Sequence, residues 1–232
     1  NLDDYDIKNI NKISEDLIHR GPNQNSDWTS FTKNIFLSHR RLSINDLTKD
    51  GIQPMVSNSK RYVIVFNGEI YNFQRLKKEL IHKNYKFSGR SDTEVLLNLI
   101  EDCGLLNTLK KINGMYSFAL FDRKLNKLSL VRDPTGQKPL YYYKDNGTFF
   151  FTSELRGLKF SGIKTQISKK SLRYFFQLSY VPAPFTIYEN FYKIKKGNII
   201  ELDLESFNLK ELSFKSQKNN FHLKGKNLHS KL

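Results

Sequence analysis

MYSFALFDRKLNKLSLVR, residues 115–132, decides the fold class, because Met115–Asp122 and Lys127–Arg132 are strand-like runs flanking Lys124–Asn126. That spacing predicts an antiparallel hairpin. Downstream, Leu140–Tyr143 and Phe149–Thr152 flank Asp145-Asn146-Gly147 as a second hairpin, and short strands are expected at Phe191–Ile194 and Asn198–Leu202. Upstream the period changes. Ile7, Ile10, Ser14, Leu17 and Ile18 form a helical face that should stop near Gly21-Pro22, and Phe73, Leu76, Leu80 and Ile81 form another within Asn72–His82. Ser91-Asp92-Thr93-Glu94 has capping-box spacing ahead of Val95, Leu96, Leu99 and Ile100. Strands at Ile35–His39 and Tyr62–Phe66, the latter apolar throughout, and a helical patch at Lys169–Leu178 complete the pattern. Helices grouped apart from antiparallel strands predict an α+β layered fold rather than a doubly wound parallel sheet.

The chain has 232 residues and 27.3 kDa, enough for one large core. Its longest apolar run, Tyr62–Phe66, is far below the roughly 20 residues a membrane span needs. Cys103 is the lone cysteine, which excludes an internal disulfide framework and suits a reducing, cytoplasmic setting. The five histidines show no metal-ligand spacing, so no metal is expected, and phosphate-binding glycine loops and nucleophile elbows are missing. Lys plus Arg exceed Asp plus Glu by 38 against 23, with an acid-free basic stretch over Ser213–Leu232. Without an RNA-binding module that stretch reads as a tail, and no specific nucleic-acid partner is expected.

Three segments carry candidate chemistry. Asn67-Gly68, after a strand, reads as a tight turn; an amide side chain beside a glycine N–H is also what a developing oxyanion needs. Arg40 and Arg41 should point to opposite sides of a strand, one into a cleft suited to a carboxylate and the other to solvent. Asp92 is a helix-start residue that could instead pair with a substrate ammonium.

Arg20-Gly21-Pro22, HRRLSINDL from His39, FNGEIYNF from Phe66, GRSDTEVLL from Gly89, NGMYSFALFD from Asn113, RDPTGQKPLYY from Arg132 and SELRGL from Ser153 occur in family-like order and spacing. Together they resemble the glutaminase domain of asparagine synthetases, a class II glutamine amidotransferase. SYVPAPFTIYENFYKIKKGN from Ser179 resembles the same branch. The resemblance implies an N-terminal-nucleophile hydrolase fold, an αββα sandwich of two antiparallel sheets between helical layers, over residues 1–204. It implies L-glutamine as substrate, with Arg41 on its α-carboxylate, Asp92 on its α-ammonium, and Asn67 with the Gly68 N–H on the oxyanion. Leu42, Ser43, Ile44, Asn45 and Glu69 would line the pocket largely through backbone groups, and Arg20 would shape the cleft from its loop. A homodimer is also implied.

One departure matters. The family's nucleophile is an N-terminal cysteine whose own amine, of pKa roughly 7.7 to 8.0, is the base. This chain begins with Asn1, and Cys103 falls at a helix end as an inert thiol. The expectation is a truncated chain lacking its first strand, inactive as it stands. Residues 205–232 would be a basic linker toward an absent synthetase domain, which would hold the ATP and Mg; no cofactor is expected in residues 1–204. The alternative is a nucleophile-free module that binds glutamine or scaffolds a complex.

Overall fold

The computed structural model describes residues 2–32, 34–42, 51–145 and 147–214. Helix α1 (Asp4–Asp16) starts where Asp3 accepts the Asp6 N–H at 2.8 Å and Asp6 returns a bond to the Asp3 N–H, so the acidic opening is a true capping box. It ends four residues short of the glycine, and a 3-10 turn at Ile18–Arg20 completes the run to Gly21. Strands β1 (Gln24–Thr29) and β2 (Phe36–Arg41) pair with each other.

The chain then builds a six-stranded antiparallel sheet. Strand β3 (Met55–Val56) is two residues long and β4 (Tyr62–Ile70) is nine. After the helices α2 (Phe73–His82), α3 (Asp92–Cys103) and α4 (Leu105–Lys111) come β5 (Gly114–Asp122) and β6 (Lys127–Arg132), the expected hairpin. A second expected hairpin, β7 (Tyr141–Asp145) and β8 (Thr148–Thr152), pairs with β9 (Phe191–Lys193) in a sheet ordered β8-β7-β9. Helix α5 (Lys169–Leu178) lies where expected, and β10 (Asn198–Asp203) and β11 (Leu209–Ser213) finish the large sheet in the order β11-β10-β6-β5-β4-β3. The expected end of the folded part at residue 204 is therefore corrected: β11 hydrogen-bonds along β10, from Asn198 opposite Ser213 to Leu202 opposite Leu209.

Strand alternation sorts the core into two layers. Tyr62, Ile64, Phe66 and Ile70 of β4, with Tyr116, Phe118 and Leu120 of β5, pack beneath Leu76 and Leu80 of α2 and Val95–Ile100 of α3. Val63, Val65, Ala119, Phe121, Leu128 and Leu130 face the other way and meet Leu37, Leu140 and Ile194, with Trp28, Tyr142, Phe149 and Phe151 around them. Beyond this second core, Ser38 and Arg40 of β2 bond to Ser14 of α1. The layers thus run helices, large sheet, small sheets, helix: an α+β sandwich of the αββα kind. The inner small-sheet layer comes in two pieces, β1-β2 and β8-β7-β9, which no described strand joins. Among the described residues no helix is long and apolar enough to cross a membrane.

Candidate functional site

The site begins at a strand edge that its neighbour leaves open. β3 pairs with Val63 and Ile64 of β4, so from Phe66 onward the outer edge of β4 has no described strand beside it. Side chains take over. The Phe66 N–H donates to Gln53 Oε1 at 2.6 Å, His39 Nε2 lies 3.2 Å from the Phe66 carbonyl, and the Ile70 N–H donates to Asp92 Oδ2 at 2.9 Å. Backbone groups of a strand alternate between its two edges, so the Gly68 N–H, midway between those of Phe66 and Ile70, points to the same open edge. Side chains alternate between faces, so Asn67 and Glu69 stand on the inter-sheet face with Val63 and Val65.

Asn67-Gly68 is accordingly no tight turn. Both residues lie inside β4, paired with Ser117 and Tyr116, and the chain turns only at Tyr71-Asn72. The glycine is needed for packing: a Cβ at residue 68 would run into the Met115 carbonyl oxygen and the Tyr116 Cα on β5.

β2 supplies the cation. Leu37, His39 and Arg41 share the face turned toward the large sheet, while Ser38 and Arg40 share the other. Arg41 is 9% exposed, with one guanidinium nitrogen 3.4 Å from Gln24 Oε1. Arg40 was expected in solvent, but its Nε donates to the Ser14 carbonyl at 2.9 Å and holds α1 against the strand.

The anion comes from the start of α3. Ser91 caps the helix by accepting the Glu94 N–H at 3.2 Å. The reciprocal half of the expected capping box is absent, because Glu94 reaches back to the N–H groups of Ser88 and Gly89 at 2.7 and 2.9 Å. Asp92, 5% exposed, thus sits at a helix N-terminus. Burial pushes its carboxyl above the ordinary carboxylate range, against the pull of backbone N–H groups of Ile70, Asp92 and Thr93; nearby Glu69 adds to the rise.

One cavity of about 840 Å³ is lined by Arg41, Leu42, Asn67, Gly68, Glu69 and Asp92 together. Arg20 borders it too, its Nε bridged to Glu154 at 2.5 Å. Ser43, Ile44 and Asn45 lie outside the described residues. Two further lining residues were given no role by the sequence. Gln53, 7% exposed, ties Phe66 to Thr93 Oγ1 at 3.3 Å, and so links β4 to the start of α3; His39 is the other. His39 opens the HRRLSINDL segment but was given no role there; its place two residues before Arg41 puts both on one strand face. Beside the cavity, buried Asp133 accepts from the N–H groups of Thr135, Gln137 and Lys138, each at 3.0 Å, and Arg132 donates to the carbonyls of Gly136, Lys138 and Ile194. The RDPTGQKP segment therefore holds the fold. Cys103 is elsewhere: its Sγ lies 3.3 Å from the Leu99 carbonyl and the residue packs against the helix-side core. No cluster of three or more metal-ligating side chains occurs among the described residues.

An antiparallel sandwich with this layering, and with a cavity at a strand edge between its sheets, has the architecture of the class II glutamine amidotransferases, the N-terminal-nucleophile hydrolases. Glutamine phosphoribosylpyrophosphate amidotransferase of Bacillus subtilis superposes with a TM-score of 0.58 at 20% identity, over 78% of this chain and 35% of that one, a likeness of fold. The chain belongs to the glutamine amidotransferase domain family, whose sequence model matches residues 2–213. It is 35% identical over 189 residues to asparagine synthetase (glutamine-hydrolyzing) 1 of Bacillus subtilis, covering 82% of this chain and 29% of that protein. With asparagine synthetase B of Escherichia coli it shares 37% identity over 150 residues, 63% of this chain and 26% of the relative. The chain spans less than half the length of the asparagine synthetases it matches.

Proposed function

We propose that this chain is the glutamine-hydrolysing part of an asparagine synthetase, a cytoplasmic enzyme that frees ammonia from L-glutamine for ATP-dependent amidation of aspartate. The observation that carries the reading is that Arg41, Asn67, Gly68 and Asp92 line the same cavity. A free amino acid has a carboxylate at one end and an ammonium beside it, and a fixed guanidinium with a fixed carboxylate holds both in register. Asn67 and the Gly68 N–H are neutral donors, and neutral donors suit an oxyanion that exists only while the carboxamide carbon is tetrahedral.

In this scheme a thiolate attacks the carboxamide carbon, its carbonyl oxygen takes the charge, and the carbon–nitrogen bond breaks as the nitrogen gains a proton and leaves as ammonia. Water then cleaves the γ-glutamyl thioester to glutamate and restores the thiol. Cys103 cannot be that thiol, since it lies against the helix-side core. The scheme needs a cysteine thiol at the cavity, and Cys103 does not supply it. A synthetase domain, with its ATP and Mg, would be the partner in the same polypeptide and a second copy the partner in a homodimer; the glutaminase part itself would need no cofactor. The position of Cys103 also supports the second reading, in which this chain binds glutamine without hydrolysing it.

Calorimetry with L-glutamine tests the site. The folded chain should bind, and Asp92→Asn or Arg41→Gln should weaken binding by about 30-fold or more, as expected when one partner of a desolvated charge pair is lost. A folded protein that takes up no glutamine at millimolar concentration would overturn both readings. Glutamate release from a chain extended by a cysteine-led segment ahead of Asn1 separates them: release supports hydrolysis, and binding without release supports the binding module.

A further inference from the structure

Arg41, Asp92 and the donors at residues 67 and 68 account for the two charged ends of glutamine and for its side-chain oxygen. They leave the carboxamide nitrogen without a partner. His39 offers one. Its Nε2 faces the Phe66 carbonyl at 3.2 Å, and a carbonyl oxygen only accepts, so Nε2 carries the hydrogen. Burial, helped by the charge of Arg41, lowers the imidazole to about 4 and outweighs the bond to Phe66, so the ring is neutral near pH 7. A neutral ring with its proton on Nε2 has a bare lone pair on Nδ1. That atom is buried and meets no donor among the described residues, in a side chain that lines the cavity. The carbonyl that fixes the ring belongs to the same open strand edge as the Gly68 N–H, two residues along.

We propose that His39 Nδ1 accepts a hydrogen bond from the carboxamide NH2 of glutamine and makes the site select the amide over the acid. This rests on the glutamine-binding reading and says which end of the side chain is read. Donors on one side and a bare acceptor on the other fit an amide in one orientation only. Glutamate, nearly the same in shape, would set a carboxylate oxygen against the lone pair, with no hydrogen between them, and a buried acceptor left without a donor favours the ligand that supplies one. Glutamate is also what hydrolysis leaves behind, so the same lone pair would hasten its departure.

Two substitutions separate this role from a structural one. In His39→Asn the amide oxygen stands near the place of Nδ1 and the donor to Phe66 is lost; in His39→Gln the amide nitrogen stands near Nε2 and the acceptor is lost. With L-glutamine and L-glutamate titrated separately into each protein by calorimetry, His39→Asn should keep the preference for glutamine, and His39→Gln should reduce it at least tenfold. The reverse order would overturn the proposal and leave His39 as a support for the Phe66 carbonyl. Should either variant fail to fold, the 15N resonance of Nδ1 in the unsubstituted protein decides: it should move on saturation with glutamine, and an unmoved resonance sinks the inference. If the unsubstituted protein binds neither amino acid, the glutamine reading itself falls, an outcome distinct from binding with an unaltered ratio among the variants.

Discussion

The two faces of β4 follow opposite rules. On the helix side, Tyr62, Ile64, Phe66 and Ile70 are sealed along the whole strand. On the inter-sheet side the burial is apolar only as far as Val65, after which Asn67 and Glu69 look into the cavity. The change falls just beyond the point where β3 stops pairing. One strand therefore anchors with its first half and presents polar groups with its second, along an edge that no described strand covers. On the proposed glutamine reading, stability and binding fall to different sides of the same nine residues.

The sharpest way to break that division is a truncation in the helix-side core. Leu80 of α2 is 1% exposed and packs over the large sheet. Leu80→Ala should cost about 2 to 5 kcal/mol in urea unfolding, from lost transfer energy and the void left behind. Glutamine affinity of the fraction that remains folded should stay within about threefold of the parent. A larger drop would show that the core face sets the geometry of the cavity face.

Acid probes the other side. His39 falls from an ordinary 6.5 to about 4 in the fold, so between those values the unfolded chain binds the proton that the folded one refuses. The contribution of neutral His39 is thus fully present above about pH 6.5 and is lost as pH falls toward 4. The span is about 2.5 pH units at about 1.4 kcal/mol each, or up to about 3 kcal/mol. Arg41 shares the face of His39, and the carboxylates of Glu69 and Asp92 line the same cavity. Unfolding free energies measured from pH 7 to 4.5 should decline more steeply for the parent than for His39→Gln. Parallel curves would mean that the imidazole is not shielded as the structure has it.

Much of the architecture was legible in sequence because it rests on local signals: Ser91 ahead of an apolar helix, the polar break between Asp122 and Lys127, the stripe of α2. What went unread lacked such signals. β1, with sequence QNSDWT, has no apolar alternation and is a strand only because β2 lies beside it. α4 spans seven residues, too few to show a period, and follows Gly104, whose φ of 77° ends α3. β11 is a partly exposed edge strand whose LKELS resembles any loop. In the site, the charged residues stood out through the family resemblance, whereas Gln53 did not and His39 entered only as the roleless first residue of HRRLSINDL. Their contacts with Phe66 exist because β3 is short, a fact of pairing across the chain that no neighbouring residue records.

Ser91 gives the smallest effect and the most discriminating one, since it belongs to both sides at once. Its hydroxyl caps a helix whose body, Val95 to Ile100, is core and whose first residue is Asp92. Ser91→Ala should cost about 1 kcal/mol of stability through loss of the cap. If the sides were fully separate, glutamine affinity would not change. The start of α3 is also held by Gln53 through Thr93 and by Ile70 through Asp92. Those two ties keep Asp92 in place without the cap, and the expected loss of affinity is therefore only about two- to threefold. Calorimetry on Ser91→Ala beside Gln53→Ala checks this: a tenfold loss from removing the cap alone would put the position of Asp92 under the control of the helix, and the side-chain bridges across the open edge would then be secondary.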